Sequence, residues 1–270
     1  MPHAKLGQHW LVDKRECEKI AQSVSLSENE ICIEIGGGKG ALTRHLAGKC
    51  RRLIVYEIDP KWADHLEEHS PKWGSGVEVR RMDALKINWN RDDLGISANE
   101  PVVIAGNIPY YITSPLFLQL VYSYMDFQRA VFLIQKDVAK RICASPGDSE
   151  YSRLTVSLGA FVRTEIVHDV PPEAFLPKPK VVSSVIRMVR HAEPKVPPEM
   201  AKLFEKTVQI SFHMRRKTLK NNLREAYKNL PMTKIEELIE ELEIKPDARP
   251  QEIPVEKYVS LTHRLADELK

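Results

Sequence analysis

The chain has 270 residues and a mass of 30.9 kDa, room for one α/β domain of about 150–200 residues plus a smaller second domain. Hydrophobic residues make up 43% and charged residues 29%, which excludes a disordered, collagen-like or coiled-coil chain. The net charge of +3 is too small to argue for nucleic acid over the chain as a whole. Cys17, Cys32, Cys50 and Cys143 lie far apart with no C-x-x-C pair, so they read as reduced thiols of a cytoplasmic protein, with no metal cluster. Met1-Pro-His-Ala-Lys5 has no apolar h-region and no apolar run approaches 18 residues, so neither secretion nor membrane spanning is expected.

Short apolar runs alternate with helical patterns over the first two-thirds of the chain. Ile31–Ile35, Leu53–Tyr56, Val77–Val79, Val102–Ala105, Ala130–Ile134, Glu165–Val167 and Ser184–Val189 read as strands. Between them Leu42–Leu46, Pro60–His69, Leu116–Tyr124 and Val138–Ala144 read as helices. This alternation predicts an α/β fold with a parallel, doubly wound sheet. Pro194, Pro197 and Pro198 then mark a linker. Beyond it the pattern is helical only, over Met200–Met214, Arg216–Tyr227, Thr233–Leu242 and Pro254–Leu269, which predicts a small all-α domain. The expected domains are 1–193 and 194–270. Residues 178–228 carry 13 Lys/Arg against 4 Asp/Glu. Such a block suits a polyanion, or forms a solvated helix face.

The first predicted strand runs into Glu34-Ile35-Gly36-Gly37-Gly38-Lys39-Gly40. Glycines at 36, 38 and 40 remove Cβ atoms where the chain turns, so a ligand can touch the backbone. The spacing is G-x-G-x-G rather than the G-x-G-x-x-G of dinucleotide binders. Glu34 would also oppose a pyrophosphate, whereas the sulfonium and ammonium of S-adenosylmethionine would suit it. Glu57, and less strongly Asp59, stand where an acid can accept both ribose hydroxyls, and Asp83 is placed to accept from an adenine amine.

The fourth strand ends in Asn107-Ile108-Pro109-Tyr110. An aromatic amine such as adenine N6 is a poor nucleophile because its lone pair is delocalised. Two acceptors, the Asn107 side-chain oxygen and the Ile108 carbonyl, could hold its hydrogens and turn it toward tetrahedral geometry. Pro109 fixes φ and so aims that carbonyl, and Tyr110 offers a face for stacking. Phe175, in a proline-stiffened loop, would cover the other face of the base or anchor the core.

Taken together, these residues resemble the ribosomal RNA small-subunit adenine N6,N6-dimethyltransferase family, nearly end to end. Within Lys5–Asp13, Gly7–Asp13 is similar to the G-Q-N-F-L-x-D end of K-x-x-G-Q-N-F-L-x-D, with His9 and Trp10 in place of Asn and Phe. Glu34–Thr43 is similar to E-I-G-x-G-x-G-x-L-T, with Gly37 where Pro is common. Gln135–Arg141, Tyr151–Leu154 and Phe175–Ser183 also match. Phe212–Leu223 is similar to F-x-x-R-R-K-T-L-x-N-x-L, which sets the chain apart from the large-subunit rRNA methyltransferases of macrolide resistance.

The resemblance implies a Rossmann-like S-adenosylmethionine-dependent methyltransferase sheet in 1–193 and an rRNA-binding helical domain in 194–270. It implies cofactor contacts by His9, Leu11, Gly36, Glu57, Asp83 and Asn107, with Gly38 in the same turn. The expected reaction dimethylates N6 of two adjacent adenosines in a hairpin loop near the 3′ end of small-subunit rRNA. The partner would be that rRNA within a pre-30S particle, engaged by a monomer. Arg215, Arg216, Lys217 and Lys220, within two helical turns, suit backbone phosphates. The rival readings are a large-subunit methyltransferase, a non-catalytic ribosome-assembly factor and a nicotinamide dehydrogenase, the last of which leaves Asn107–Tyr110 unexplained.

Overall fold

The computed structural model describes residues 9–269. In chain order the elements are β1 (Trp10–Leu11), α1 (Lys14–Val24), β2 (Ile31–Ile35), α2 (Thr43–Leu46), β3 (Arg52–Glu57), α3 (Pro60–His69), β4 (Val77–Arg81), α4 (Arg91–Leu94), β5 (Val102–Asn107), α5 (Thr113–Tyr122), β6 (Arg129–Gln135), α6 (Lys136–Ile142), α7 (Arg153–Gly159), β7 (Val162–Val170), β8 (Phe175–Leu176), β9 (Ser183–Arg190), α8 (Ala201–Ser211), α9 (Leu219–Ala226), α10 (Met232–Glu241) and α11 (Val255–Glu268).

Two compact units divide the chain. One holds the described residues up to Ala139 together with Thr164–Arg190; the other holds Lys140–Arg163 together with the described residues from His191. The sequence expectation drew a single boundary after residue 193. The compact units exchange at three places instead, and α7, which no apolar period had flagged, lies in the second unit.

In the first unit seven strands form one sheet in the order β4-β3-β2-β5-β6-β9-β7. Strands β4 through β6 are parallel. Strand β9 runs antiparallel to β6, pairing from Arg129↔Val189 to Gln135↔Ser183. The sheet is therefore mixed, which corrects the parallel expectation. A parallel neighbour needs a crossover connection, usually helical. The stretch before β9 contains Pro171, Pro172, Pro177 and Pro179 and forms only a short 3-10 turn and β8.

Strand β2 is buried at all five positions, as a strand covered on both faces must be. After β2 the chain adds β3 and β4 on one side, then crosses to place β5 on the other. That reversal opens a crevice at the carboxyl ends of β2 and β5, where ligands of such sheets bind. Register aligns the edge, with Ile35 opposite both Tyr56 and Gly106.

In the second unit Phe204, Val208, Leu261 and Leu265 are buried in a helical core. The Tyr151 hydroxyl donates to the Ile253 carbonyl (2.9 Å), and the Tyr258 hydroxyl donates to the Pro250 carbonyl (2.6 Å). Both phenols are thus buried with a partner. Among the described residues no helix is long and apolar enough to cross a membrane, and no group of His, Cys, Asp and Glu is arranged to hold a metal ion.

Candidate active site

The turn after β2 is tied to the neighbouring strand by the Gly36 N–H, which donates to the Tyr56 carbonyl at 2.8 Å. Gly36 takes a left-handed φ of +77°, and a Cβ there would stand 3.5 Å from the Asn107 carbonyl oxygen. The turn and the end of β5 therefore face each other at backbone distance. Gly38 is also left-handed (φ +53°), but its open side is already filled: a Cβ would meet the Trp10 ring at 2.5 Å. The Gly38 N–H donates to Glu57 Oε2 at 2.8 Å.

Glu57 ends β3 and is buried. Its other oxygen accepts the Asp59 N–H at 2.8 Å. Burial pushes its carboxyl above the usual range, and the backbone N–H groups of Asp59, Gly38 and Ile58 pull against that. Acceptor capacity remains for a further donor, such as a ribose hydroxyl. Asp59 is committed elsewhere, because it caps α3 by accepting the Lys61 N–H at 3.0 Å, with Pro60 in the first helical turn. Asp83, half-buried beyond β4, accepts the Leu85 N–H at 3.0 Å and keeps its other oxygen open.

Glu34 lies beneath the turn, 1% exposed, and its Oε2 has no hydrogen-bond partner among the described residues. Burial, reinforced by the charge of Glu57, pushes its carboxyl up to about 8. A cation beside it would offset that cost, and a phosphate would add to it.

At the end of β5 the Asn107 side chain makes no hydrogen bond among the described residues. Ile108 is buried, and its N–H donates to the Leu133 carbonyl at 3.1 Å. The Pro109 carbonyl accepts the Ile112 N–H at 3.1 Å, closing a 3-10 turn over Tyr110–Ile112. The Tyr110 and Ser183 hydroxyls are 3.0 Å apart.

Strand β1 pairs with β8, setting Trp10 opposite Leu176 and Leu11 opposite Phe175. Leu11 and Phe175 are both buried in the apolar cluster that includes Val170 and Ala174. Phe175, 4% exposed, also lines the pocket, so it belongs to the core cluster and to the pocket wall at once. His9 Nδ1–H donates to the Pro177 carbonyl (2.7 Å), and its ring lies 6.1 Å from that of Tyr110. Asp13 caps α1 by accepting the Arg15 and Glu16 N–H groups. The Lys5–Gln8 part of this motif lies outside the described residues.

One pocket thus gathers His9, Leu11, Gly36, Gly38, Glu57, Asp83, Asn107, Ile108, Pro109, Tyr110 and Phe175 from the first unit. It also exposes Tyr111 (58%), and rests on Ser183 through Tyr110; the sequence reading gave neither a role. Only the Phe175–Ser183 match touched Ser183, and no local period links it to Tyr110.

The basic residues expected to meet RNA lie in the second unit. Arg215, Arg216 and Lys217 do not sit in a helix but in the turn between α8 and α9. Buried Asn222 holds that turn, its side chain bonding both the N–H and the carbonyl of Met214 at 3.1 Å. Its Thr218 cap starts α9 only after Lys217. Arg215 donates to the Ser149 (2.8 Å) and Tyr151 (2.9 Å) carbonyls. Lys217 pairs with Glu225, and Lys220 with Glu236 at 3.2 Å. Arg216 is exposed without a partner among the described residues.

A crevice at a chain reversal, walled by acids where a dinucleotide would need donors, belongs to the Rossmann-like S-adenosylmethionine-dependent methyltransferases. The residues fit that methyl donor: Glu34 keeps an orphan oxygen, Glu57 has acceptor capacity, and Gly36 leaves the backbone open. Within that class, the family model described as Ribosomal RNA adenine dimethylase matches residues 2–267, and the chain belongs to this family. A Ribosomal RNA small subunit methyltransferase A from Halothermothrix orenii is 35% identical over 97% of this chain and 88% of its own length. Among solved structures, a dimethyladenosine transferase from Plasmodium falciparum aligns with a TM-score of 0.78 at 25% identity, covering 96% of this chain and 98% of that one. A 23S rRNA methyltransferase, ErmE, aligns at 0.70 and 27%, covering 95% and 99%.

Proposed function

We propose that this pocket carries N6,N6-dimethylation of two adjacent adenosines in a hairpin loop near the 3′ end of small-subunit rRNA. The chain is an S-adenosylmethionine-dependent rRNA adenine dimethyltransferase, and its substrate is small-subunit rRNA, as for its curated relatives. The observation that carries the site reading is the approach of the Asn107 backbone to Gly36, which puts an uncommitted amide beside the glycine turn.

S-adenosylmethionine supplies a methyl group already attached to a good leaving group, so the protein's part is positioning and desolvation. Asn107 Oδ1 and the Ile108 carbonyl accept the two N6 hydrogens and turn the nitrogen lone pair out of conjugation. Pro109 and the buried Ile108 side chain fix that carbonyl. Tyr110, held by Ser183, receives the face of a base taken out of its stack. Glu57 accepts from ribose and Asp83 from the adenine amine of the methyl donor, with Leu11, His9 and Gly38 framing it. The nitrogen sheds its proton to solvent after transfer, so no general base is required.

Arg216, Lys217 and Lys220 form the phosphate-facing part of the helical unit, Arg216 most directly because no carboxylate engages it among the described residues, while Arg215 ties their turn to the Ser149 and Tyr151 carbonyls. The natural substrate is rRNA within a pre-30S particle, met in the cytoplasm by a monomer. Cys17, Cys32 and Cys50 form no disulfide, which suits a reducing compartment.

Mass spectrometry of rRNA after incubation with labelled methyl donor tests the reading. Two dimethylated adenosines in small-subunit rRNA are expected. Label confined to large-subunit rRNA, or none at all, would overturn it.

A further inference from the structure

The pocket wall is acidic, with Glu34, Glu57 and Asp83 lining it. Among the described residues Lys39 is its one Lys or Arg. Lys39 stands between Gly38 and Gly40 in the turn after β2, is exposed, and forms no ion pair among the described residues. Its ammonium is placed by aromatic faces, with Nζ lying 5.2 Å from the Trp10 ring centre and 5.4 Å from that of Trp62. Those two rings pack edge to face at 5.0 Å. The Trp10 ring in turn rests where a Gly38 Cβ would be. Cation–π contact orients an ammonium without using up its hydrogen-bond donors in the way a carboxylate would.

Strand order gives this cation a ligand. Asp83 follows β4, Glu57 ends β3, and the Lys39 turn follows β2, side by side in the sheet. With the base of the methyl donor at Asp83 and its ribose at Glu57, the amino-acid end falls over the β2 turn. That end bears an α-carboxylate, and among the described residues Lys39 is the one Lys or Arg of the pocket lining that could meet it.

We propose that Lys39, held by Trp10 and Trp62, is the residue that binds the α-carboxylate of S-adenosylmethionine. This rests on the pocket reading above, so the test separates the two. Calorimetry on the full chain compares S-adenosylmethionine with decarboxylated S-adenosylmethionine, which keeps the sulfonium and the amine. Lys39→Met weakens binding of the first about tenfold, the scale of one charge-assisted hydrogen bond, and leaves the second unchanged. Lys39→Arg restores most of the difference. Lys61, which also sits over Trp62 (4.8 Å) but does not line the pocket, provides the control: Lys61→Met leaves both affinities alone. Equal weakening of both ligands by Lys39→Met, or none, overturns the assignment while leaving the pocket intact. If Glu57→Ala also leaves both affinities unchanged, the pocket reading fails and takes the assignment with it.

Discussion

Tyr110 and Ser183 are 73 positions apart in sequence and meet hydroxyl to hydroxyl at 3.0 Å. Ser183 is buried in the first residue of β9, opposite Gln135 of β6, so its position is set by the sheet rather than by the loop before it. Tyr110 sits in a one-turn 3-10 segment with no side-chain cap, and this contact ties its phenol to the sheet. The face of Tyr110 proposed to receive the base therefore depends on a residue that does not itself line the pocket.

Ser183→Ala should lower kcat several-fold while leaving KM for S-adenosylmethionine near its original value. Tyr110→Phe should do the same. Because each removes the same contact, the double variant should be little worse than either single one. Single-turnover kinetics on small-subunit particles would measure this, and fully additive losses would show that the two hydroxyls act separately.

Asn107→Ala should reduce methylation at least about a hundredfold, the scale seen when one preorganised polar group is removed from a reacting centre. Methyl-donor affinity should change by no more than a few-fold and rRNA binding hardly at all. Calorimetry and filter binding beside a turnover assay would separate these effects. A variant that keeps full turnover would leave the amine-holding role without support. The ribosome profile of a strain carrying Asn107→Ala distinguishes an enzyme from a factor that only binds.

Much of this site was legible because its signals are local. Asp59 and Pro60 announce the start of α3, and the helix runs Pro60–His69 as the sequence reading has it. The glycine turn, Glu57 and Asn107 stand at strand ends, where the apolar run breaks. Strand direction was not legible, since an alternating or all-apolar run reads the same both ways, and β9 proved antiparallel. Two-residue strands such as β1 and β8 carry no period at all. Gly37, standing where the resembled family commonly has Pro, has a tertiary reason: a Cβ there would lie 2.5 Å from Val55 Cγ1 and 2.7 Å from Leu66 Cδ1. Nor could spacing show that the Arg215 side chain points at the carbonyls of Ser149 and Tyr151.

Glu34 gives a pH dependence of stability. Its carboxyl titrates at about 8 in the folded chain against an ordinary value of 4.5, chiefly because burial disfavours its charge. Between those values the unfolded chain has lost the proton and the folded chain keeps it. The contribution of Glu34 is thus fully present below pH 4.5 and is lost as pH rises toward 8. Glu34→Gln should therefore gain melting temperature relative to the parent as pH is raised from 5 to 8, with the gap levelling off above 8. Carboxylates held low by cations, such as Glu30 beside Arg129, are common to both proteins and cancel in the comparison. A difference that stays flat across this range would place the Glu34 carboxyl near its ordinary value.

Arg215 and Arg216 are adjacent in sequence but should respond oppositely. Arg215 bonds two backbone carbonyls of the segment before α7, an acceptor pair left without this donor when the side chain is cut back. Arg215→Ala should lower the melting temperature modestly, at a cost of about 0.5–1.5 kcal/mol, because Arg215 and Ser149 are exposed and water replaces part of the lost donor. Arg216 is exposed and uncommitted among the described residues, so Arg216→Ala should leave melting unchanged. It should instead weaken rRNA binding and reduce the slope of log affinity against log salt by about one. Lys217→Ala and Lys220→Ala should give smaller slope changes, because Glu225 and Glu236 already neutralise part of their charge. Salt titrations of rRNA binding beside melting curves for the four single variants would test this. An Arg216 variant with the parental slope would move the phosphate-contacting surface to other basic residues of the helical unit.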